Sequence, residues 1–288
     1  MSQSSIHNDA TKKLLSVAGS ASVEEIKQLI QEGADVNAVS RQRRTTLMNA
    51  AKYNKKTDVF RFLIENGANV NAVGKDGCTP LMFAAESNKN PEVLRVLIDN
   101  GADIKATDSY GSTPLMRAAS SNSSIDVLRT LIENGADVDA VLKGFWLREG
   151  MTPLMWAACN NSNPDVLSFL IEKGADVNAS ASYGLTPLMC AAGYNSNPEV
   201  LRVLIDKGAG VNTVVKSENR LWRGWTPLIF AALGNSNPEV LRVLIENGAD
   251  VSIKDEYSKS ALDYAEANEN LKGTDAYDLL RAKTLSGK

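Results

Sequence analysis

One block of residues recurs along nearly the whole 288-residue chain, and a repeat of this kind constrains the fold more than any local pattern does. The block at Thr79 reads TPLMFAAESNKNPEVLRVLIDNGADIKA, and the block at Thr186 reads TPLMCAAGYNSNPEVLRVLIDKGAGVNT. Successive blocks start 34 residues apart, except for two spacings of 39 and 40, at Thr45, Thr79, Thr113, Thr152, Thr186 and Thr226. Each of these threonines precedes a glycine by 22 residues. Both insertions therefore fall between a glycine and the next threonine.

Each block predicts two helices followed by a turn. The threonine can cap a first helix, and the proline after it suits the first helical turn. Asn90-Pro91-Glu92 repeats these signals at the start of a second helix. There Val93, Leu94 and Leu97 follow the spacing of a buried helical face, and Gly101 stands where a left-handed C-terminal cap is expected. The turn-rich segment after each glycine predicts a projecting β-hairpin.

This pattern resembles the ankyrin repeat, on the TPLxxAA and NGADVNA motifs at this period across roughly residues 10 to 283. The resemblance implies an all-α solenoid of helix-turn-helix pairs with short β-hairpin fingers. Two departures stand out: methionine or isoleucine replaces the family's usual histidine after TPL, and the loop between the two helices is one residue longer. We expect methionine packing to take the place of the histidine hydrogen bonds.

The same resemblance implies how the chain is divided. We expect a single ankyrin-repeat domain over 10–283, between disordered segments at 1–9 and 284–288. Within it we expect an N-terminal capping repeat at about 10–40, six full repeats at about 41–254 and a C-terminal capping repeat at about 255–283. The terminal repeats carry the charged outer faces that a solenoid needs at its ends.

Composition and motifs exclude most other functions. The formal net charge of −3 gives no basic field, so nucleic acid is an unlikely partner. No apolar run is long enough for a signal peptide or a membrane span, so we expect a cytoplasmic protein without a membrane partner, with delivery into a host cell as an effector left open. The one histidine is His7, and no catalytic or phosphate-binding motif occurs. We therefore expect no enzyme activity, no metal and no cofactor.

The three cysteines, Cys78, Cys159 and Cys190, form no CxxC pair and are odd in number, which argues against a disulfide framework and favours a reducing compartment. Cys159 and Cys190 occupy first-helix positions one repeat apart, a spacing that can bring them near one another. Packing as small residues is the expected role of all three, with metal or redox chemistry as the alternative.

The family resemblance implies that partners are bound by the hairpin tips and the exposed side of the first helices. The residues of this sequence that match those positions, and that combine aromatic rings with arginines, are Tyr53, Phe83, Tyr110, Phe145, Trp146, Trp156, Tyr183, Leu185, Tyr194, Trp222, Trp225, Phe230, Arg41, Arg44, Arg117, Arg148, Arg220 and Arg223. Trp, Tyr and Arg dominate binding hot spots. The alternative is that some rings, above all Trp156 and Phe230, pack between helices, and that the N-terminal arginines form a solvated face.

The two lengthened hairpins, 142–149 and 216–223, both insert Trp, Leu and Arg, and we expect them to hold a partner over Tyr183 and Leu185. The sequence thus predicts a non-catalytic module that binds a protein partner. Likeness to bacterial and phage ankyrin proteins implies an inhibitor, immunity or effector role. The alternatives are binding of a small molecule, sugar or nucleotide by the Trp/Arg fingers, and homo-oligomerisation through them.

Overall fold

The structure is a computed structural model, and it describes residues 8–143, 149–216 and 222–286. The chain forms two compact units, Met1–Asp137 and Val138–Lys288. The described residues of each unit contain four helix pairs, so the protein is mostly helical, as expected for an ankyrin-repeat solenoid. The single domain predicted over 10–283 stays a prediction.

The first unit contains helices α1 to α8, with bounds Asp9–Val17, Val23–Gln31, Thr46–Tyr53, Thr57–Glu65, Pro80–Ser87, Pro91–Asp99, Pro114–Ser121 and Ile125–Glu133. The second contains α9 to α16, with bounds Pro153–Asn160, Pro164–Glu172, Pro187–Tyr194, Pro198–Asp206, Pro227–Gly234, Pro238–Glu246, Ala261–Ala265 and Asp275–Ser286. Helix α1 begins at Asp9 with Asn8 as its cap, and α16 continues to Ser286. Helical structure therefore extends beyond both predicted limits, 10 and 283, into residues that we expected to be disordered.

The helix starts follow the capping signals of the sequence. In α5 the hydroxyl oxygen of Thr79 accepts the Met82 N–H at 3.4 Å, and Pro80 occupies the first turn. In α6 the Asn90 side chain accepts the Glu92 N–H at 3.1 Å. The predicted left-handed cap is present as well, since Gly101 has φ of 87°. Capping of this kind typically contributes about 1 kcal/mol per helix.

Within each unit, the helices form two layers. The first helices of successive pairs pack on one another, as α3, α5 and α7 do, and the second helices form a parallel row, as α4, α6 and α8 do. The methionines that replace the family's histidine are fully buried between the layers, with Met48 and Met82 each 0% exposed. The Met48 sulfur also lies 3.4 Å from the Thr45 backbone nitrogen, so it accepts a weak hydrogen bond at the helix start.

Within each unit, buried asparagines link successive helix pairs. Asn88, 3% exposed, donates from its side-chain amide to the carbonyl oxygens of Ala51 at 3.1 Å and Asn54 at 2.7 Å. Its side-chain oxygen accepts the N–H of Asn90 at 3.1 Å. The same two-carbonyl contact is made by Asn54, Asn122, Asn195, Asn235 and Asn268. We call this set the asparagine ladder. It lies in the inter-helix loop, the segment that is lengthened by one residue.

A second set of asparagines joins the turns that follow the second helices. Asn37 donates to the Gly67 carbonyl at 2.7 Å and accepts the Asn69 N–H at 2.9 Å. Asn178 makes the equivalent pair of bonds in the second unit, to the Gly208 carbonyl and from the Gly210 N–H, both at 3.0 Å. Successive repeats of a unit are therefore hydrogen-bonded on both sides of the helix layers.

The predicted β-hairpins are shorter than expected. In the described part of the chain their strand pairing is limited to isolated bridges, Val39 with Thr45 and Lys254 with Ser260. Other fingers include tight turns, such as the one closed by the Gly74 N–H and the Cys78 carbonyl at 2.9 Å. Gly77 reverses the chain there with φ of 78°, and a Cβ on it would lie 2.6 Å from the Ser109 nitrogen of the next turn. These two turns are therefore stacked too closely for any residue other than glycine at position 77.

Removing one asparagine of the asparagine ladder should destabilise the protein. Asn88→Ala leaves two buried carbonyls and one loop N–H without partners, so we expect the free energy of unfolding to fall by about 2–4 kcal/mol. The matched control is Asn66→Ala, since Asn66 is exposed and its side-chain amide donates to Phe62 of its own helix, and it should cost less than about 1 kcal/mol. Urea unfolding of both variants measures this. Equal losses would contradict the assignment.

Truncating a buried leucine of a second helix tests the layer packing. Leu97 and Leu204 are both 0% exposed, so Leu97→Ala and Leu204→Ala should each lower the free energy of unfolding by about 2–5 kcal/mol through cavity formation. Leu233, on a first helix, is 45% exposed, and Leu233→Ala should change stability by less than about 0.5 kcal/mol. Thermal and urea unfolding give the comparison, and a large loss in Leu233→Ala would contradict the layer assignment.

Candidate functional site

The surface that varies most between repeats consists of the turns and the first-helix position that follows the TPLM motif. In the first unit this position holds Asn49, Phe83 and Arg117, and in the second Trp156, Cys190 and Phe230. The turn that precedes each first helix lies beside it because a short backbone hydrogen-bonded loop returns the chain to the helix start, as between Asp108 and Ser112. Side chains from these two elements therefore meet within each unit.

In the first unit, Arg117 is held by two carboxylates. Its Nε and Nη2 donate to Oδ2 of Asp108 at 3.0 and 2.6 Å, and Nη1 donates to Oε2 of Glu86 at 2.8 Å. The Asp108 side chain is fully buried, and its other oxygen accepts the N–H groups of Tyr110 and Ser112, both at 2.8 Å. All strong acceptor positions of this carboxylate are thus used. Arg117 therefore stabilises the turn and has little capacity left for a partner.

A pocket of about 300 Å³ opens beside Arg117. Its lining combines four cations, two carboxylates and an apolar floor; we call it the basic pocket, and it consists of Gln42, Arg44, Lys52, Lys75, Asp76, Cys78, Phe83, Glu86, Tyr110 and Arg117. The Arg44 guanidinium lies over the Phe83 ring, 4.9 Å from its centroid. The Cys78 sulfur is 3.1 Å from Nη2 of Arg117. Burial nevertheless dominates and raises the pKa of the Cys78 thiol, so this cysteine is not an activated thiolate.

In the second unit, aromatic rings take the place of the cations. Tyr183 and Trp222 meet edge to face with centroids 6.4 Å apart, and Trp222 and Trp225 contact Phe230 at 5.7 and 5.0 Å. Trp225 in turn contacts Tyr264 at 5.3 Å. We call these five rings the aromatic cluster. Edge-to-face pairs of this kind add about 0.5–1.5 kcal/mol beyond their buried area, so the rings stabilise one another's positions.

One polar contact supports the far end of the aromatic cluster. The Tyr264 hydroxyl donates to Oδ2 of Asp255, whose other oxygen accepts the N–H groups of Tyr257 and Lys259, both at 2.9 Å. Burial, followed by the hydrogen bond to Asp255, raises the pKa of Tyr264 above its ordinary value. The tyrosine therefore stays protonated and donates throughout the physiological pH range.

Sequence reasoning missed Asp108 and Asp255, although a signal was present. Each stands nine residues before the first-helix residue that it binds, Arg117 and Tyr264 respectively, and each begins a turn whose backbone N–H groups it accepts. An aspartate at the start of a turn commonly bonds the backbone two residues on. Aligning the two turns on the first helices that follow them would have placed Asp108 and Asp255 at the same position.

The predicted contact residues differ widely in exposure. Tyr194, Tyr53 and Tyr110 are exposed by 62%, 58% and 46%, and Arg41 and Arg223 are exposed as well. Half-buried positions are held by Arg44, Arg117, Trp156, Tyr183, Trp222 and Trp225. Four others, Phe145, Trp146, Arg148 and Arg220, lie outside the described residues, and so does much of both lengthened hairpins.

Three of the predicted contact residues are buried. Phe83, Leu185 and Phe230 are 8%, 5% and 4% exposed. A partner contact at these three residues stays a prediction. The Phe230 ring packs against Trp222 and Trp225. These side chains support the surface from beneath.

The described residues offer little for metal or covalent chemistry. They contain no group of three or more His, Cys, Asp and Glu side chains placed to hold a metal ion. Cys78 and Cys190 are buried, Cys159 is half-buried, and none forms a disulfide. Of the helices that the structure describes, none combines the length and the apolar character that crossing a membrane requires.

Comparison with known proteins identifies the repeat. One family model, described as ankyrin repeats, matches residues 14–108, 75–142 and 115–215, and a second ankyrin-repeat model matches residues 217–265. No curated protein matches the sequence. Among solved structures, the human ASB11 ankyrin repeat domain is similar with a TM-score of 0.68 and 24% identity, over 83% of this chain and 98% of that one. The chain therefore belongs to the ankyrin-repeat proteins, whose repeats are generic modules of protein–protein interaction and typically non-catalytic scaffolds.

Proposed function

We propose that this chain binds a partner protein and that Tyr183 and Trp222, at the turns of the second unit, are its main contact residues. The two side chains are half-buried and meet edge to face at 6.4 Å. Hot spots in protein interfaces are enriched in Trp and Tyr, and they lie where rigid rings can be fully desolvated by the partner. The inhibitory, immunity and effector roles that the family resemblance implies would each be carried out through this contact.

The observation that carries the proposal is the backbone conformation of these two residues. Tyr183 and Trp222 have φ of 67° and 65°, in the left-handed region that bulky side chains rarely adopt. Holding such a residue there costs about 1–2 kcal/mol, and glycine or asparagine would avoid most of that cost. Strained residues of this kind cluster at binding sites. Arg43, Asp76 and Ser258 adopt the same conformation with polar side chains, so among the described residues it is at Tyr183 and Trp222 that this strain is combined with a large ring.

Packing within the fold accounts for part of this arrangement but not all of it. Trp222 covers the Phe230 ring at 5.7 Å, so it contributes some stability. Tyr183 touches the cluster only through Trp222 in the ring contacts of the described residues, and its turn-forming φ would suit glycine better. Tyr194, at the end of α11, is 62% exposed. Packing against the cluster therefore does not by itself account for a ring at Tyr183.

Replacing both rings by asparagine separates binding from folding. Asparagine tolerates the left-handed conformation, so Tyr183→Asn/Trp222→Asn should retain native helical circular dichroism and cooperative unfolding. The matched control is Arg43→Asn/Ser258→Asn, because Arg43 and Ser258 are also left-handed turn residues, with φ of 55° and 61°. We expect the ring variant to bind the partner at least about 30-fold more weakly, and the control to bind like the wild type.

The measurement is affinity capture from extracts of the expressing cells, followed by titration of the purified captured protein. The proposal predicts a protein that is retained by the wild type and the control and lost in the ring variant. Equal capture by all three forms would contradict it. The proposal would also be contradicted if sedimentation showed that the two rings join two copies of this chain. The same holds if a small molecule saturably quenched tryptophan fluorescence and no protein was captured.

A further inference from the structure

The basic pocket of the first unit has the size and lining of a small receptor site. Its volume of about 300 Å³ is at the lower end of the range for ligand pockets, so it suits one or two side chains. The floor is apolar, since Cys78 and Phe83 are 6% and 8% exposed. Arg44 is pre-positioned at the wall by its stacking on Phe83, with 4.9 Å between guanidinium and ring centroid.

The charges of the pocket are unequally compensated. Arg117 is satisfied by Asp108 and Glu86 at 2.6 and 2.8 Å. Arg44, Lys52 and Lys75 form no ion pair within 4.0 Å among the residues that the structure describes. Lys52 makes a cation–π contact with the exposed Tyr53 ring, 5.3 Å from its centroid. Three cations therefore converge on one concave space while their charges remain available.

We propose that the basic pocket receives a carboxylate side chain from an acidic segment of a partner protein. The carboxylate would be bound by Arg44, Lys52 and Lys75, and Arg117 would stay with its internal partners. Because Asp76 and Glu86 also line the pocket, its excess positive charge is small, which suits a single carboxylate better than a polyanion. This inference rests on the proposed function, since it specifies the chemistry of part of the partner, but it concerns a separate surface.

Asp76 provides a variant that should increase binding. It lines the pocket and has φ of 63°, a conformation in which asparagine is as favourable as aspartate. Asp76→Asn removes the charge that repels an incoming carboxylate without straining the turn. We expect it to tighten binding about two- to fivefold, the range for one partly exposed charge pair. A gain in affinity cannot result from unfolding.

The experiment is a chemical-shift titration of the ¹⁵N-labelled full chain with acetyl-tetraglutamate amide, and with acetyl-tetraglutamine amide as the uncharged comparison. The glutamate peptide should shift resonances around the pocket saturably, and the glutamine peptide should not. Arg44→Gln/Lys52→Gln/Lys75→Gln should weaken binding at least about tenfold. The matched control removes three exposed cations outside the pocket, as Lys55→Gln/Lys56→Gln/Arg61→Gln, and should weaken it less than about threefold.

Several results would overturn the proposal. Equal weakening by the two triple variants would mean general charge attraction, and saturation by inorganic phosphate without peptide binding would mean a site for free anions. Unchanged or weaker peptide binding in Asp76→Asn would also contradict it. The titration reports on the first-unit pocket alone, so a negative result would contradict this inference but not the proposed contact at Tyr183 and Trp222. Conversely, if that contact proved wrong, a positive titration would still support the carboxylate site.

Discussion

The structure of each unit depends first on the buried asparagine amides by which an inter-helix loop binds the preceding repeat. In a solenoid, no residue contacts the far end of the chain, so stability is a sum of contacts between neighbours. Apolar packing alone would let neighbouring helix pairs slide, because it is non-directional. Asn88, bound to the Ala51 and Asn54 carbonyls, fixes both distance and register. The equivalent asparagines make the same two-carbonyl contact between the other repeats that they join within a unit.

Because the ladder, the caps and the helix layers use the same residue types in each repeat, the turns and the TPLM-adjacent positions can differ. In the first unit these positions place cations around a pocket, and in the second they place rings against one another. An internal aspartate stabilises the surface in both units, Asp108 through Arg117 and Asp255 through Tyr264. One scaffold thus presents two chemically different surfaces, and neither requires a change in the fold.

Much of the fold was predictable because its signals are local. Thr79 and Asn90 begin their helices where the sequence predicts, since a cap depends only on the next two or three residues. The site was less predictable because burial depends on neighbouring repeats: Phe230 is covered by Trp222, which belongs to the preceding turn. The role of Asn88 was missed although asparagine recurs at its position, because a polar residue in a loop is ordinarily interpreted as solvated.

The central claim is that the turn and first-helix surface binds a partner protein, and site-specific photocrosslinking in the expressing cells tests it most directly. A benzophenone amino acid in place of Tyr194, which is 62% exposed on α11, should form a discrete adduct with one protein. The same group in place of Asp206, exposed at the end of the second helix α12, should not. An adduct formed only from position 206, or equally from both positions, would contradict the account.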